Sequence, residues 1–268
     1  PDETGSGSGP EQYDEYGSSV SLDGDYAVIG AHNGGLVWNV SRHGWAYFYE
    51  LSGGTWTMVQ KISAADNEDN DSFGRFVATK GGYAAIAAPN NDTYGGTIAG
   101  SVYVYERDNA AVGSGTWTYV QVLSGDSSYW FGQGVSIAVD TINDAEYIFA
   151  GEGSFNGSDE IVYVFKRDDA AAGSDTAENN DTATDNYDYF SQGGTSVDGQ
   201  YLVVGAPGAD PFEYNTSTKG PGAAYIFKNI AGTWTQSQVI TGSNIGTTDG
   251  QDFGFQYTRW RCIYLQTK

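Results

Sequence analysis

The side chains with most chemistry to offer are carboxylates. The stretch "DNEDND", from Asp66 to Asp71, sets acidic and amide groups at six consecutive positions, and oxygen donors of this hard kind suit calcium. Asp66, Asp69 and Asp71 are the candidate ligands; Ca2+ is the cation such a loop could take, and no cofactor is required by anything else in the chain. The same carboxylates also read as turn formers. Asp14, Asp71 and Asp188 each stand two residues before an aromatic that recurs along the chain, where a carboxylate can cap backbone N–H groups.

Nucleophile chemistry is thin by comparison. His32 and His43 are the only histidines, and neither lies in a "GxSxG" or "HExxH" pattern. Cys262 is the single cysteine, which excludes an internal disulfide framework and gives a Cys/His pair little support. Paired-carboxylate glycoside hydrolysis stays as a remote alternative, because its two acids can come from distant segments. In a chain this acidic most carboxylates are surface charge, so the expectation is that the protein is not an enzyme.

Five Asn-x-Ser/Thr triplets say more about location. Asn39, Asn91, Asn156, Asn180 and Asn215 each fall in an expected inter-strand loop, where a glycan can be carried. Three tryptophans, Trp38, Trp45 and Trp130, lie outside the repeating pattern described below and could stack on sugars.

Charge and composition narrow the partners. Against 12 Lys and Arg stand 34 Asp and Glu, and a net charge of −22 repels phosphate backbones and anionic lipid surfaces, so nucleic acid is excluded. No run of eighteen apolar residues occurs, so no membrane insertion is expected. Hydrophobic residues at 39% and aromatics at 15% supply a packed core, and 38 glycines supply turns. The opening "PDETGSGSGPEQ" lacks Met, as expected of a processed product or a fragment.

What must position these groups is an internal repeat. An aromatic followed by Gly or Ser opens "YGSSVSLDGDYAVIGA" at Tyr16, "FGRFVATKGGYAAIAAP" at Phe73, "FGQGVSIAVDTINDAEYIFAG" at Phe131 and "FSQGGTSVDGQYLVVGAP" at Phe190, with a fifth start at Phe253. The period is about sixty residues. Each period holds four strand signals. A first strand leads to a tight turn, "DG" in periods one and four. A nearly continuous apolar run follows, "YAVIGA", "YAAIAA", "YIFAG" or "YLVVGA", as expected of a strand buried on both faces. The third signal is "AYFYE", "VYVYE", "VYVFK" or "AYIFK", with Tyr47, Tyr103, Tyr163 and Tyr225 in one slot. The fourth is "GTWT" with a Gln four residues after Trp56, Trp117 and Trp234. Period three replaces it with the polar "AAAGSDTAENNDTATDNYDY", which reads as a long loop or a degraded strand.

Four short antiparallel strands per unit predict an all-β fold, a β-propeller of four-stranded antiparallel blades: four blades and the start of a fifth. The recurring Tyr and Trp are then inter-blade packing residues. Residues 1–12 form an N-terminal Gly/Ser-rich segment. Blades span about 13–72, 73–130, 131–189 and 190–252, and 253–268 is an irregular tail that starts a further blade. A one-base shift of reading frame across Arg259-Trp260-Arg261 restores "DGD", so a frame-shifted or mis-spliced end is the expectation for that tail.

"FG" at a blade start and "GAP" after the second strand resemble the FG-GAP repeat of integrin α propellers, in a short-looped form found in large extracellular and cell-surface proteins. The resemblance spans about residues 13–255. It implies a β-propeller and an extracellular or cell-surface setting, but not the integrin calcium cage, because "LDGD" at Leu22–Asp25 stands where that loop would be. The expected function is a non-enzymatic interaction or structural module, a glycosylated propeller used in adhesion or in assembly of a surface or filamentous structure. A carbohydrate-binding, lectin-like propeller is the alternative. The expected partners are other protein chains of an extracellular assembly or cell-surface glycans.

Overall fold

The computed structural model describes residues 14–34, 43–66, 68, 70–92, 99–108, 110–125, 130–140, 145–153, 160–167, 177–183, 194–208 and 222–241. Among them every regular element is a strand. Sheet one contains β1 (Ser19–Asp23), β2 (Tyr26–Ala31), β3 (Trp45–Ser52) and β4 (Thr55–Ile62); sheet two contains β5 (Phe76–Lys80), β6 (Tyr83–Ala88), β7 (Ser101–Arg107) and β8 (Trp117–Leu123). Sheet three is β9 (Phe131–Asp140), β10 (Ala145–Glu152), β11 (Glu160–Lys166) and β12 (Ala177–Ala183). Sheet four is β13 (Thr195–Asp198), β14 (Tyr201–Ala206), β15 (Ala223–Ile230) and β16 (Thr233–Thr241). Each sheet is a meander whose spatial order follows the sequence, and all pairings are antiparallel. Successive sheets pack face to face through β1 on β5, β5 on β9 and β9 on β13. The protein is an all-β propeller of four-stranded blades. No helix of the described residues is long and apolar enough to cross a membrane, which says nothing of a β-barrel.

The polar stretch of period three takes its degraded-strand form. β12 is "AENNDTA", and it pairs with β11 through backbone hydrogen bonds although it lacks the Trp and Gln of its counterparts. The hairpin signal is displaced by one residue. Asp23 pairs with Tyr26 and Asp198 with Tyr201, so each Asp closes its strand and Gly24 or Gly199 takes the first loop position, at φ of 56° and 54°, where a side chain would be strained.

Each blade is apolar on both faces, and the junction between blades explains the recurrent residues. Phe73 is fully buried, and Gly74 behind it has φ of +85°; a Cβ there would lie 2.3 Å from the Trp45 carbonyl oxygen. Across the same junction a Cβ on Gly30 would lie 1.9 Å from the Gly74 carbonyl oxygen. The Gly after the anchor aromatic of one blade therefore touches the Gly near the end of β2 in the blade before it. Backbone-to-backbone approach of this kind leaves no room for a side chain.

A bulge recurs where the third strand meets the fourth, after Phe48, Val104 and Ile226 in sheets one, two and four. The extra residue reverses the side-chain alternation. Trp and Gln four residues apart would otherwise share a face; here Trp117 faces the blade before it and Gln60 faces the blade after it. Gln60 donates from Nε2 to the Trp117 carbonyl at 2.9 Å and accepts the Trp117 N–H on Oε1 at 2.9 Å. The indole of Trp117, 2% exposed, lies on Phe48 with centroids 4.7 Å apart and edge-on to Tyr26 at 6.2 Å.

One ion pair seals the first junction. Glu50 has no exposed surface, and Arg107 is nearly as buried. Arg107 donates Nε to Oε1 at 2.6 Å and Nη2 to Oε2 at 3.1 Å, and lies over the Tyr26 ring at 4.8 Å. The Gly113 N–H also donates to Oε2, while Arg107 Nη1 reaches the carbonyls of Asp108 at 2.7 Å and Ala110 at 3.0 Å. Burial pushes the Glu50 carboxyl up, but the hydrogen bonds and charge of Arg107 outweigh it and hold the carboxyl below the usual range.

Replacing Glu50 alone by Gln is expected to lower the unfolding free energy by about 3–5 kcal/mol near neutral pH, since it strands a buried guanidinium. The sign with pH follows from the lowered carboxyl: its stabilisation is complete above the ordinary glutamate value of 4.5 and is lost as pH falls through the folded value. Urea melts between neutral and acid pH are expected to show a steeper acid loss for the wild type than for Glu50→Gln; parallel curves would contradict it.

Candidate functional site

The blade junctions are the places where this fold brings chemically distinct groups together, and they are not alike. At the first, the inner strand β5 has backbone N–H groups that no strand pairs. Ser19 Oγ accepts from Val77 N–H at 2.9 Å, Ser21 Oγ from Thr79 N–H at 3.0 Å, and Asp23 Oδ2 from Gly81 N–H at 2.8 Å. Lys80 Nζ completes the row on Asp23 Oδ1 at 2.9 Å, and these contacts outweigh burial to keep the Asp23 carboxyl below its usual range. Three side chains on alternate positions of β1 thus act as a strand edge for the next blade. Sequence reasoning passed over them, although the spacing Ser-x-Ser-x-Asp was visible in "SVSLD" and recurs in part as Ser196 and Asp198.

The second junction is looser. Arg167 occupies the slot of Arg107, stacked over the Tyr83 ring at 4.8 Å, but its guanidinium divides between Glu146 at 2.8 Å and Glu106 at 3.9 Å and is 45% exposed. Tyr83 donates its hydroxyl to Glu106 Oε1 at 2.7 Å. Burial and that bond both push the Tyr83 phenol well above its usual value. Here a cleft opens, lined among the described residues by Tyr83, Val104, Ile137, Ile148, Phe165 and Arg167, with Glu146 and Gln121 at its rim. Its walls are apolar and its mouth carries one cation and one carboxylate. That makes it the candidate binding site of the chain.

The acidic loop does different work from the calcium chemistry expected of it. Asp71, buried, accepts the Glu68 N–H at 2.9 Å and the Asn91 amide at 3.2 Å; Ser101 in turn donates to Asn91 Oδ1 at 2.9 Å. Asp66 Oδ1 accepts the Tyr103 hydroxyl at 2.7 Å. Burial raises the Asp71 carboxyl above its usual value, with the neighbouring Asp66 and Asp92 charges adding to it. Asp69 lies outside the described residues. Among the described residues no three His, Cys, Asp or Glu side chains converge as metal ligands. Asp71 caps a backbone N–H, as its place before Phe73 implies.

Asn91 departs from the loop-glycan expectation. Its side chain is wholly buried and its amide nitrogen is committed to Asp71, so a glycan on it does not fit the folded blade. Asn180 is in β12 rather than in a loop. Asn39, Asn156 and Asn215 lie outside the described residues, as do Trp38, Cys262, Asp188 and the whole tail after Phe253. Trp45 is half-buried under Lys61, whose Nζ is 4.2 Å from its ring, so it offers no free face for a sugar.

His32 makes a polar tie that its sequence context did not announce. Its Nδ1 lies 3.0 Å from Ser18 Oγ, while Arg75 Nη1 is 3.0 Å and Glu15 Oε2 3.1 Å from Nε2. The Arg75 guanidinium can only donate and the Glu15 carboxylate can only accept, so Nε2 serves one or the other according to the ring's protonation, while Ser18 Oγ also donates to the Gly30 carbonyl at 3.5 Å. His43 Nδ1 meets the Glu68 carbonyl at 3.3 Å.

Residues 6–49 and 56–105 match the family model described as FG-GAP repeat. Those two segments resemble FG-GAP repeats. They cover most of the first blade and of the second, and the same strand order recurs in the sheets beyond them. No curated protein sequence is significantly similar to this chain. Solved structures similar to it include the Trypanosoma rangeli sialidase in complex with the inhibitor DANA, at 12% identity and a TM-score of 0.46, covering 82% of this chain and 37% of that one. A mutant of that sialidase displaying trans-sialidase activity is 14% identical at 0.46, covering 82% and 36%, and the Trypanosoma rangeli sialidase itself is 14% identical at 0.45, covering 82% and 37%. The chain thus spans little more than a third of the length of these structures. The expectation that it is not an enzyme is corrected by them, since they come from an enzyme family, and it is withdrawn. At this identity and TM-score they assign no activity to this chain.

Asn91 gives the direct test of this geometry. In a host that glycosylates Asn-x-Thr sites, peptide mapping is expected to find Asn91 unmodified, and Asn91→Ala to cost about 1–3 kcal/mol by stranding the buried Asp71 carboxyl. A glycan found on Asn91 of the folded protein would refute the Asp71–Asn91–Ser101 network.

Proposed function

We propose that this FG-GAP propeller is an extracellular interaction module, a glycosylated surface or secreted protein whose blade faces assemble with other protein chains. The observation that carries the reading is the state of the two terminal blade faces. Residues that are buried at the inner junctions are exposed there. Val20 and Leu22 of β1 are 67% and 65% exposed, while their counterparts Val77 and Thr79 are each 6% exposed beneath blade one. Trp56 is 41% exposed where Trp117 and Trp234 are buried. On the fourth blade Tyr201 and Val203 are exposed, though their counterparts Tyr26 and Val28 pack under the next blade. Exposed apolar side chains grouped on one face mark association surfaces.

The groups on the two faces are those that meet at an inner junction. Ser196, Asp198 and Gln238 stand in the slots of Ser21, Asp23 and Gln60, and β1 offers the counterpart of the β5 edge. The occupant this chemistry fits is therefore another blade of the same kind. The acidic surface, the remaining Asn-x-Ser/Thr triplets at Asn39, Asn156 and Asn215, and the repeat itself support a secreted or cell-surface setting. Cell-surface glycans stay as partners of the glycan-binding alternative, which no geometry here favours.

Light scattering over a concentration series is expected to report mass above the 28.6 kDa of one chain. Trp56→Asp on one face, or Tyr201→Asp on the other, should each lower the association constant about tenfold or more, the two variants mixed together forming a single capped pair. A monomer at every concentration would sink the reading.

A further inference from the structure

Two of the three junctions hold an indole in the same slot. Trp117 lies on Phe48 and Tyr26, and Trp234 lies edge-on to Tyr147 at 5.9 Å and to Phe149 at 4.9 Å. Both open the outer strand of their blade within "GTWT". Among the described residues the middle junction has no such residue: β12, the counterpart of β8 and β16, reads "AENNDTA" and carries no aromatic side chain.

The cleft is the vacated slot. Trp117 packs on Tyr26 and Phe48 in a cluster that also holds Val59, Ala84 and Tyr105, and Arg107 lies over the Tyr26 ring. Their counterparts one blade on are Tyr83, Val104, Val120, Ile148, Phe165 and Arg167, and all six line the cleft. It measures about 450 Å³ including its open mouth. Phe48 is replaced by the smaller Val104, which widens the wall against which the indole would lie.

We propose that this cleft binds the aromatic side chain of a partner polypeptide, a Trp above all, in the place that Trp117 and Trp234 fill at the sister junctions. The inference rests on the reading of the chain as an interaction module and names the chemistry of one contact. Tyr83 offers the edge-on contact that Tyr26 gives Trp117. Val104, Ile137, Ile148 and Phe165 enclose the ring, and Arg167, held by Glu146, stands at the mouth. A strand delivers the ring at both filled slots, so the ligand is an extended peptide segment rather than a free heterocycle. The site is continuous with an interface the fold already makes twice.

The probe is the peptide acetyl-GTWT-amide, titrated into the 268-residue chain by calorimetry. One-to-one binding is expected with a Kd of about 0.1–1 mM, and acetyl-GTAT-amide should bind about tenfold more weakly or not at all. Val104→Trp fills the slot from within and should abolish binding of acetyl-GTWT-amide. Methyl NMR shifts of Val104, Ile137 and Ile148 in the unmutated chain locate the peptide without any variant. No heat and no methyl shift up to about 10 mM peptide would overturn the proposal, as would shifts confined to the terminal faces carrying Val20 or Val203. Light scattering in the same samples separates the two readings: association that persists while the peptide fails to bind overturns this inference alone.

Discussion

A four-stranded sheet with two apolar faces cannot stand alone in water, and everything distinctive in this chain follows from the need to cover each blade with the next. Covering requires the inner strands to approach until backbone touches backbone. Gly30 and Gly74 permit that approach, because neither has a Cβ to lose. Once the inner strands are this close, the unpaired N–H groups of β5 need acceptors, and Ser19, Ser21 and Asp23 supply them. Farther out the blades splay apart. The gap is filled by larger groups: the Trp117 indole, then the Glu50–Arg107 pair at the rim.

Much of this was legible because the repeat rewrites the same demands several times. The anchor aromatic with its Gly, the apolar β2, the Tyr slot and the Trp-to-Gln spacing are local patterns, and each maps to one strand or turn. What was not legible depends on which residues meet across blades. Glu50 and Arg107 are neighbours only after two blades have formed, and nothing near either one marks it as half of a pair. The four-residue Trp–Gln interval was visible, but its meaning required the bulge that turns Gln60 to the opposite face. Asn91 misled for the opposite reason. Its triplet satisfied a local rule, while tertiary packing had committed the amide to Asp71.

The acidic loop illustrates how carboxylates can cap and tie a blade edge. Asp71 is buried against two donors, and Asp66 holds the Tyr103 hydroxyl, so both side chains have partners within the blade edge. Desolvation and the adjacent charges raise the Asp71 carboxyl, so its ionised form is sustained chiefly by the Glu68 N–H and the Asn91 amide. An Asp recurs at this position before Tyr16, Phe73 and Phe190. Asp14 is buried at the first blade in the same way, and its carbonyl takes the Asn33 N–H as the Asp71 carbonyl takes that of Asn90.

The middle junction shows what happens when one filler is withdrawn. With no Trp in β12, the outer half of the gap between blades two and three loses its apolar plug, and the ion pair at its rim changes character with it. Arg107 and Glu50 are sealed in a bidentate pair beneath Trp117, whereas Arg167 is nearly half exposed and shares two carboxylates at unequal distances. An exposed pair of that kind contributes little to stability, about 0–1 kcal/mol, so this junction is held chiefly by its inner strands and by the apolar cluster that joins Ala85, Ala87 and Val102 to Phe131, Val135 and Ile137. The residue type that recurs elsewhere is a packing element; the place where it is missing opens an apolar-walled cleft among the described residues. In a repeat fold, departures from the repeat are therefore where a site can arise, because the positions that match are already occupied in holding the blades together.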